Sequence, residues 1–251
     1  KGLGGDVILV ETGGTVGDIE SLPFLEAIRQ FRASVGREHT CFVHVAPVLY
    51  LAAAGELKTK PVQHSVKELQ SVGLSPDIIL CRTDRYLDKS IKSKIGLFCN
   101  VDDDAVITAK DVDTIYEVPL VFHQEGLDEK ISQVLNMWTG RPDLRKWESV
   151  VQVLRDPKQE LTITMVGKYV DLTESYKSLN EALYPAGYAN RSRVKIEYFD
   201  SEKLEDASVL SDCDGILVPH GFASRGADGK TAAVGYERER GIPFLGICFG
   251  V

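Results

Sequence analysis

Apolar positions along this chain gather into short unbroken runs rather than into strict alternation. The runs are DVILVE (6–11), CFVHVAPV (41–48), DIILCR (77–82), AVIT (105–108), LTITMVG (161–167), RVKIEYF (193–199), GILVP (215–219) and PFLGIC (243–248). Continuous runs of this length suit strands buried on both faces of a mostly parallel sheet. Helical spacing fills the intervals. SLPFLEAIRQFRASVG (21–36) sets Phe24, Leu25, Ile28, Phe31, Arg32 and Val35 at helix periodicity, with Ser21 and Pro23 marking its start. HSVKELQSVG (64–73) ends on Gly73, which suits the first residue past a helix. DKSIKSKIGLFCN (88–100) and KTAAVGYERERG (230–241) are further helices. Strands alternating with helices predict an α/β fold with a parallel sheet.

The pattern changes at 138–160, where WTGRPDLRKWESVVQVLRDPKQE is polar and holds both tryptophans with Pro142 and Pro157. It reads as a linker with a short helix. The expected organisation is a first α/β unit at 1–140, a linker at 141–160 and a second α/β unit at 161–251.

Composition narrows the class. A length of 251 residues allows one to two domains. The net charge of −8 argues against a general nucleic-acid or membrane-surface binder, while leaving room for a local basic pocket. No run approaches the ~18 apolar residues of a membrane helix, and the opening KGLGGDVILVE has no signal-peptide pattern. That opening reads as the end of a loop entering a strand, so the natural start is expected upstream. Five scattered cysteines without a CxxC pair suit a reduced, cytoplasmic protein with neither a disulfide framework nor structural zinc.

Three stretches carry candidate chemistry. In VETGGTVGDIESLPF (10–24) a strand delivers Glu11 to a glycine-rich turn, followed by Asp18 and Glu20. Glycines admit a ligand close to backbone, and an acid at a strand's carboxyl end could hold a hard cation. The pattern alone slightly favours a solvated glycine loop. In GELKTKPVQHS (55–65), Lys58, Thr59, Lys60, Gln63 and Ser65 crowd before a helix, as an anion site requires, with Pro61 stiffening the loop. A solvated basic loop is the competing reading. The third stretch, KSKIGLFCN followed by VITAKDVDTIYEVP (106–119), adds the charges of Lys94 and Lys110, with Asp111 directly after the strand at 105–108, and taken separately each reads as surface charge. Finally, Cys248 stands in GIPFLGICFGV between Gly246 and Gly250. From the residues alone, a nucleophile on a sharp turn and a structural thiol are equal readings.

Taken in order, ETGGTVGDIESLPFLEAIRQ, GELKTKPVQHSVKEL, DIILCR, KIGLFCNV and KDVDTIYEVP resemble the amidoligase (synthetase) domain of the CTP synthase family. MVGKYVDLTESYKSLNEAL, DGILVPHGF, RGADGK and PFLGICFG resemble the glutaminase domain of the same family. The resemblance implies a P-loop NTPase-like (dethiobiotin-synthetase-like) parallel sheet. Part of a flavodoxin-like class I glutamine amidotransferase domain would follow it. It implies ATP-dependent amination of UTP to CTP with ammonia from glutamine. It assigns Glu11 to Mg²⁺, and Asp18, Ile19 and Glu20 to recognition of inhibitory CTP. Lys58, Thr59, Lys60, Pro61, Val62, Gln63 and Lys94 would bind UTP or CTP, and Lys110, Asp111 and Val112 would border the ATP adenine. Cys248 would be the glutaminase nucleophile, with oxyanion donors from Phe249 and the loop around Gly221. ATP is then a co-substrate, CTP a feedback inhibitor and GTP a candidate allosteric activator. A homotetramer or filament is implied, with no nucleic-acid or membrane partner.

In the family's order the P-loop precedes Lys1 and the glutaminase base follows Val251. The segment by itself is therefore expected to be inactive and, with a half-sheet exposing apolar surface, poorly stable. His220, Ala223 and Ser224 depart from the family's glycine-rich oxyanion loop, and a histidine would be strained at His220 if that position needs a positive φ. The competing functions are a non-catalytic nucleotide-binding or subunit-interaction relative and a free-standing glutaminase. The extensive synthetase half argues against the latter.

Overall fold

The computed structural model describes residues 5–168, 170, 173–204, 206–220 and 226–248. The chain divides into two units, Lys1–Trp147 and Glu148–Val251.

The first unit is built on three parallel strands in the order β1 (Val43–Pro47), β4 (Ile78–Thr83), β5 (Val106–Lys110). The central strand β4 shows why unbroken apolar runs were informative. Ile79 and Cys81 enter the core with α2 (Lys60–Ser71) and α3 (Lys89–Cys99), through Val62, Val66 and Ile95. Ile78 and Leu80 point to the other face, against Ile107 and Leu127, on the side of α4 (Val118–Gln124) and α5 (Leu127–Val134). Burying an isoleucine completely, as at Ile78 and Ile79, stabilises by about 1.5–3 kcal/mol. A short antiparallel hairpin, β2 (Leu49–Leu51) with β3 (Glu56–Lys58), was not foreseen. The Arg85 guanidinium stacks 3.3 Å above the Tyr50 ring and fastens it.

Helix α1 (Leu22–Val35) starts after Ser21 and carries Pro23 in its first turn, as its sequence predicts. It buries Leu25 against Leu69 and Leu74. Its Arg32 bonds Asp77 at 2.8 Å, and the other Asp77 oxygen accepts from the Phe42 amide at 2.8 Å. Helix α2 begins earlier than its periodicity suggests. Pro61 lies in its first turn rather than stiffening a loop, because a proline's missing N–H costs nothing where helical amides have no partner. Its end matches expectation: Gly73 has φ +82°, with Gly73 N bonded to Gln70 O and Leu74 N to Leu69 O. Asp88 caps α3 by accepting from the Ile91 amide at 2.9 Å, and Asn100 closes it in a left-handed conformation.

One expected strand is absent. Residues 6–11 join no sheet, and Val7, Ile8, Leu9 and Val10 are exposed, Leu9 at 93%. The run has strand composition, but a strand exists only through its ladder partners, and none is present among the described residues.

The second unit is a four-stranded parallel sheet in the order β7 (Ser192–Asp200), β6 (Gln159–Gly167), β8 (Gly215–Val218), β9 (Phe244–Gly246). The chain passes from one unit to the other within α6 (Arg145–Arg155), the short helix expected of the polar stretch. Met165 and Leu217 pack with Leu179 and Leu183 of α7 (Lys177–Ala189) on one face. Val166, Ile216 and Val218 pack with Ala233 of α8 (Ala227–Arg240) on the other. Helix α8 approaches the end of β7 so closely that a Cβ at Gly229 would lie 1.9 Å from the Ser201 carbonyl oxygen.

Two outcomes test this packing. Gly229→Ala should destabilise the second unit by about 1–3 kcal/mol through backbone displacement, read by thermal unfolding. His44 on β1 is 8% exposed and bonds Ser65 Oγ at 2.8 Å, and burial lowers its pKa from the usual 6.5. The unfolded state therefore takes up that proton more readily, so stability is present above pH 6.5 and falls as the pH drops below it. The urea midpoint should decrease between pH 7.5 and 5.5, by less in His44→Asn; equal slopes would refute the assignment.

Candidate functional site

Among the predicted residues, Lys110, Asp111 and Val112 in the first unit and Cys248 in the second lie at carboxyl ends of parallel strands, where α/β sheets bind ligands. In the first unit, parallel register sets Thr83 of β4 opposite Lys110 of β5, and the Asp111 amide donates to the Thr83 carbonyl at 2.8 Å. Lys110 Nζ donates to the Asp111 carbonyl at 3.0 Å. The Asp111 carboxylate accepts from Arg82 at 2.5 Å. Val112 follows, half-buried. Arg82 was not singled out as a site residue; its signal was its place at the end of an apolar strand.

The lysine cluster is assembled by the hairpin and two helices. Lys58 ends β3 and pairs with Glu56. The hydrogen bond and charge of Lys58, with a further contribution from Lys94 on α3, hold Glu56 below the usual carboxylate range. Lys60 places its ammonium 5.9 Å from the centre of the Phe98 ring on α3. Gln63 donates to Thr59 Oγ1 at 3.0 Å, which holds two predicted side chains together. Thr59 is buried, Pro61 half-buried and Val62 fully buried in the core, so Val62 supports this segment rather than presenting a side chain.

The glycine turn is shaped by its acid. Gly14 and Gly17 have φ of +88° and +105°, and Asp18 Oδ2 accepts from the Thr15 amide at 3.1 Å. Glu11, Asp18, Ile19 and Glu20 are exposed. No group of three or more His, Cys, Asp or Glu suited to a metal occurs among the described residues. A lone exposed carboxylate at Glu11 still fits Mg²⁺, which is commonly held by one or two carboxylates together with substrate phosphates. One concavity of this unit, about 470 Å³, is lined by Lys92, Asp104, Glu125 and Lys130 among others and by none of the predicted residues. Its charges pair internally, Lys92 with Glu125 and Lys130 with Asp104.

In the second unit β9 ends at Gly246, opposite Val218 of β8, and the Ile247 amide bonds the Val218 carbonyl at 3.0 Å. The next residue, Cys248, is exposed and has φ +59°. A non-glycine residue in that conformation is uncommon, and it turns the thiol out at the carboxyl end of the sheet. Gly221 and Phe249, with Ala223 and Ser224, lie outside the described residues. His220 is exposed, edge-on to Tyr176 with ring centres 6.4 Å apart. It is not among the residues with positive φ, so the strain feared from sequence does not arise there.

The other thiols differ in kind. Burial pushes Cys41 and Cys99 up to about 11 and Cys81 up to about 12. Cys213 donates to the Leu210 carbonyl at 3.1 Å. Among the described residues no helix is long and apolar enough to cross a membrane.

Comparison with known proteins follows the same division. Residues 171–251, the part that ends in the cysteine turn, match the family model of class-I glutamine amidotransferases. Residues 1–137, more than half the chain, match the model of the CTP synthase N-terminus. The chain belongs to the CTP synthase family. It is 56% identical over 251 residues to the CTP synthase of Syntrophus aciditrophicus, covering 99% of this chain and 47% of that protein. Against the CTP synthase of Desulfotalea psychrophila it is 54% identical, covering 98% of this chain and 45% of the relative. The chain thus spans about half the length of the curated relatives it matches. A solved glutaminase domain of Trypanosoma brucei CTPS with bound acivicin is 38% identical, covering 36% of this chain and 37% of that one, with a TM-score of 0.34.

Alkylation with iodoacetamide should distinguish the thiols. At pH 8, Cys248 is expected to react at least ~10-fold faster than Cys41, Cys81 and Cys99, as read by peptide mass spectrometry.

Proposed function

We propose that this chain is part of a glutamine-hydrolysing CTP synthase, which aminates UTP to CTP at the expense of ATP. The observation that carries the reading is Cys248, exposed with φ +59° at the carboxyl end of a parallel sheet, in a chain of this family. The Cys248 thiolate attacks the side-chain amide carbon of glutamine and forms a C–S bond. The C–N bond then breaks, nitrogen leaves with a proton as ammonia, and water cleaves the thioester to glutamate. The Phe249 amide and the loop around Gly221 take the oxyanion. In the synthetase half the uracil 4-oxygen takes the γ-phosphoryl group of ATP with release of ADP, and ammonia then adds to C4, whose C–O bond breaks to release phosphate.

The side chains of the first unit suit the binding duties. Lys58, Lys60 and Lys94 supply charge for the phosphates of UTP or CTP, with Thr59, Pro61, Val62 and Gln63 completing that segment. Asp18, Ile19 and Glu20 recognise CTP as feedback inhibitor. Lys110, Asp111 and Val112 border the adenine, and Arg82 orients Asp111. Mg²⁺ at Glu11 supplies positive charge to the bound phosphates. GTP as allosteric activator, a homotetramer and a cytoplasmic setting complete the reading. The free state of all five cysteines agrees with that setting.

The test uses the full-length protein that carries this segment. Cys248→Ala should lower glutamine-dependent CTP formation by roughly 10³-fold or more and leave ammonia-dependent formation intact. Loss of both would make the cysteine structural. Lys58→Ala and Lys94→Ala should each raise the KM for UTP about 10-fold. Wild-type protein that forms no CTP from UTP, ATP and glutamine would sink the proposal.

A further inference from the structure

Between the end of β4 at Thr83 and the start of α3 at Lys89, the chain runs through a short connection whose residues are tied down one after another. Arg85 grips Asp84 with two hydrogen bonds of 2.8 Å, one to each carboxylate oxygen. The same guanidinium lies 3.3 Å above the Tyr50 ring of the hairpin. Leu87 is buried in the core with Ile79 and Ile95, and Asp88 caps α3. Between these anchors Tyr86 turns outward and is 47% exposed. A tyrosine has two side-chain torsions, and here its backbone is already fixed. It can therefore cover a ligand at a small entropic cost.

The position gives the ring a neighbour. Tyr86 lies three residues past Thr83, which stands in register opposite Lys110 of β5. The Lys110 ammonium is 5.9 Å from the centre of the Tyr86 ring, within cation–π range. The same ammonium donates to the Asp111 carbonyl at 3.0 Å. Asp111 is joined back to β4 twice, by its amide to the Thr83 carbonyl and by its carboxylate to Arg82. Ring, ammonium and the segment 110–112 thus form one corner built on the carboxyl ends of two paired strands, where α/β sheets take ligands. An open aromatic face beside a held ammonium suits a ligand that combines a flat heterocycle with negative charge. The heterocycle stacks on the ring and the cation attracts the anionic part.

We infer that Tyr86 is a stacking platform for the purine base of ATP, a substrate-binding residue beyond the segment 110–112. This rests on the proposed reading in which Lys110, Asp111 and Val112 border the adenine. Stacking uses the face of a base and is indifferent to its hydrogen-bonding edge. Tyr86 therefore contributes affinity, while discrimination of the base falls to the segment 110–112.

The experiment measures CTP formation by the full-length protein with ATP and UTP varied in turn. Tyr86→Ala should raise the KM for ATP roughly 10-fold and leave the KM for UTP in place. The loss should fall on KM rather than on kcat, because a base platform binds ground and transition states alike. Tyr86→Phe keeps the ring and should stay near wild type. Tyr86→Leu keeps apolar bulk without a π face and should resemble the alanine variant. If thermal unfolding shows that Tyr86→Ala is not folded, Tyr86→Leu decides. A KM for ATP within twofold of wild type in the leucine variant overturns the inference, as does an equal rise in the KM for UTP, which would mark a general distortion of the strand end. Lys110→Met separates the two possible failures. A raised KM for ATP in Lys110→Met alone overturns the platform and keeps the adenine border, whereas an unchanged KM in both Lys110→Met and Tyr86→Leu sinks the border as well.

Discussion

Parallel strand pairing in register is the constraint on which everything chemical in this chain depends. A parallel sheet places the carboxyl ends of all its strands on one side, so residues remote in sequence arrive together without any long-range side-chain code. In the first unit Pro47 stands opposite Arg82, and Thr83 opposite Lys110. In the second, Val218 stands opposite Gly246. Shifting any of these pairings by one residue would reverse which face each side chain occupies, and a shift of β9 against β8 would take Cys248 away from the end of β8.

What surrounds those strand ends is mostly positive or hydrogen-bond donating, in a chain whose net charge is −8. Lys58 pairs with Glu56, and Arg82 pairs with Asp111. Lys230 is driven into the interior of the second unit.

The legibility of the fold followed the physics of each signal. Runs such as DIILCR could be read because a strand covered on both faces is apolar along its length, as β4 is from Ile78 to Cys81, all buried, before Arg82 turns outward at its end. Helix ends at Gly73 and Asp88 were readable because capping is local chemistry. DVILVE failed as a strand because pairing is not local: composition supplies the side chains but not the neighbouring ladder. The start of α2 was misplaced because proline serves equally as a loop stiffener and as a first-turn residue, and only the backbone distinguishes them. The hairpin β2–β3 carried no turn signal that was recognised, although its last residue, Lys58, was already a candidate.

Sequence alone determined the family, the α/β class and the chemical identity of the candidate residues, since these rest on order, spacing and residue type along one dimension. Tertiary structure decided which of them act together and in what state. It buried Val62 in the core, joined Arg82 to Asp111, relieved His220 of the strain its substitution suggested, and buried Lys230 against the Pro219 carbonyl. The physical reason is that burial and electrostatic proximity are properties of packing between elements, and a residue's neighbours in space are set by strand register and helix docking rather than by its neighbours in the chain.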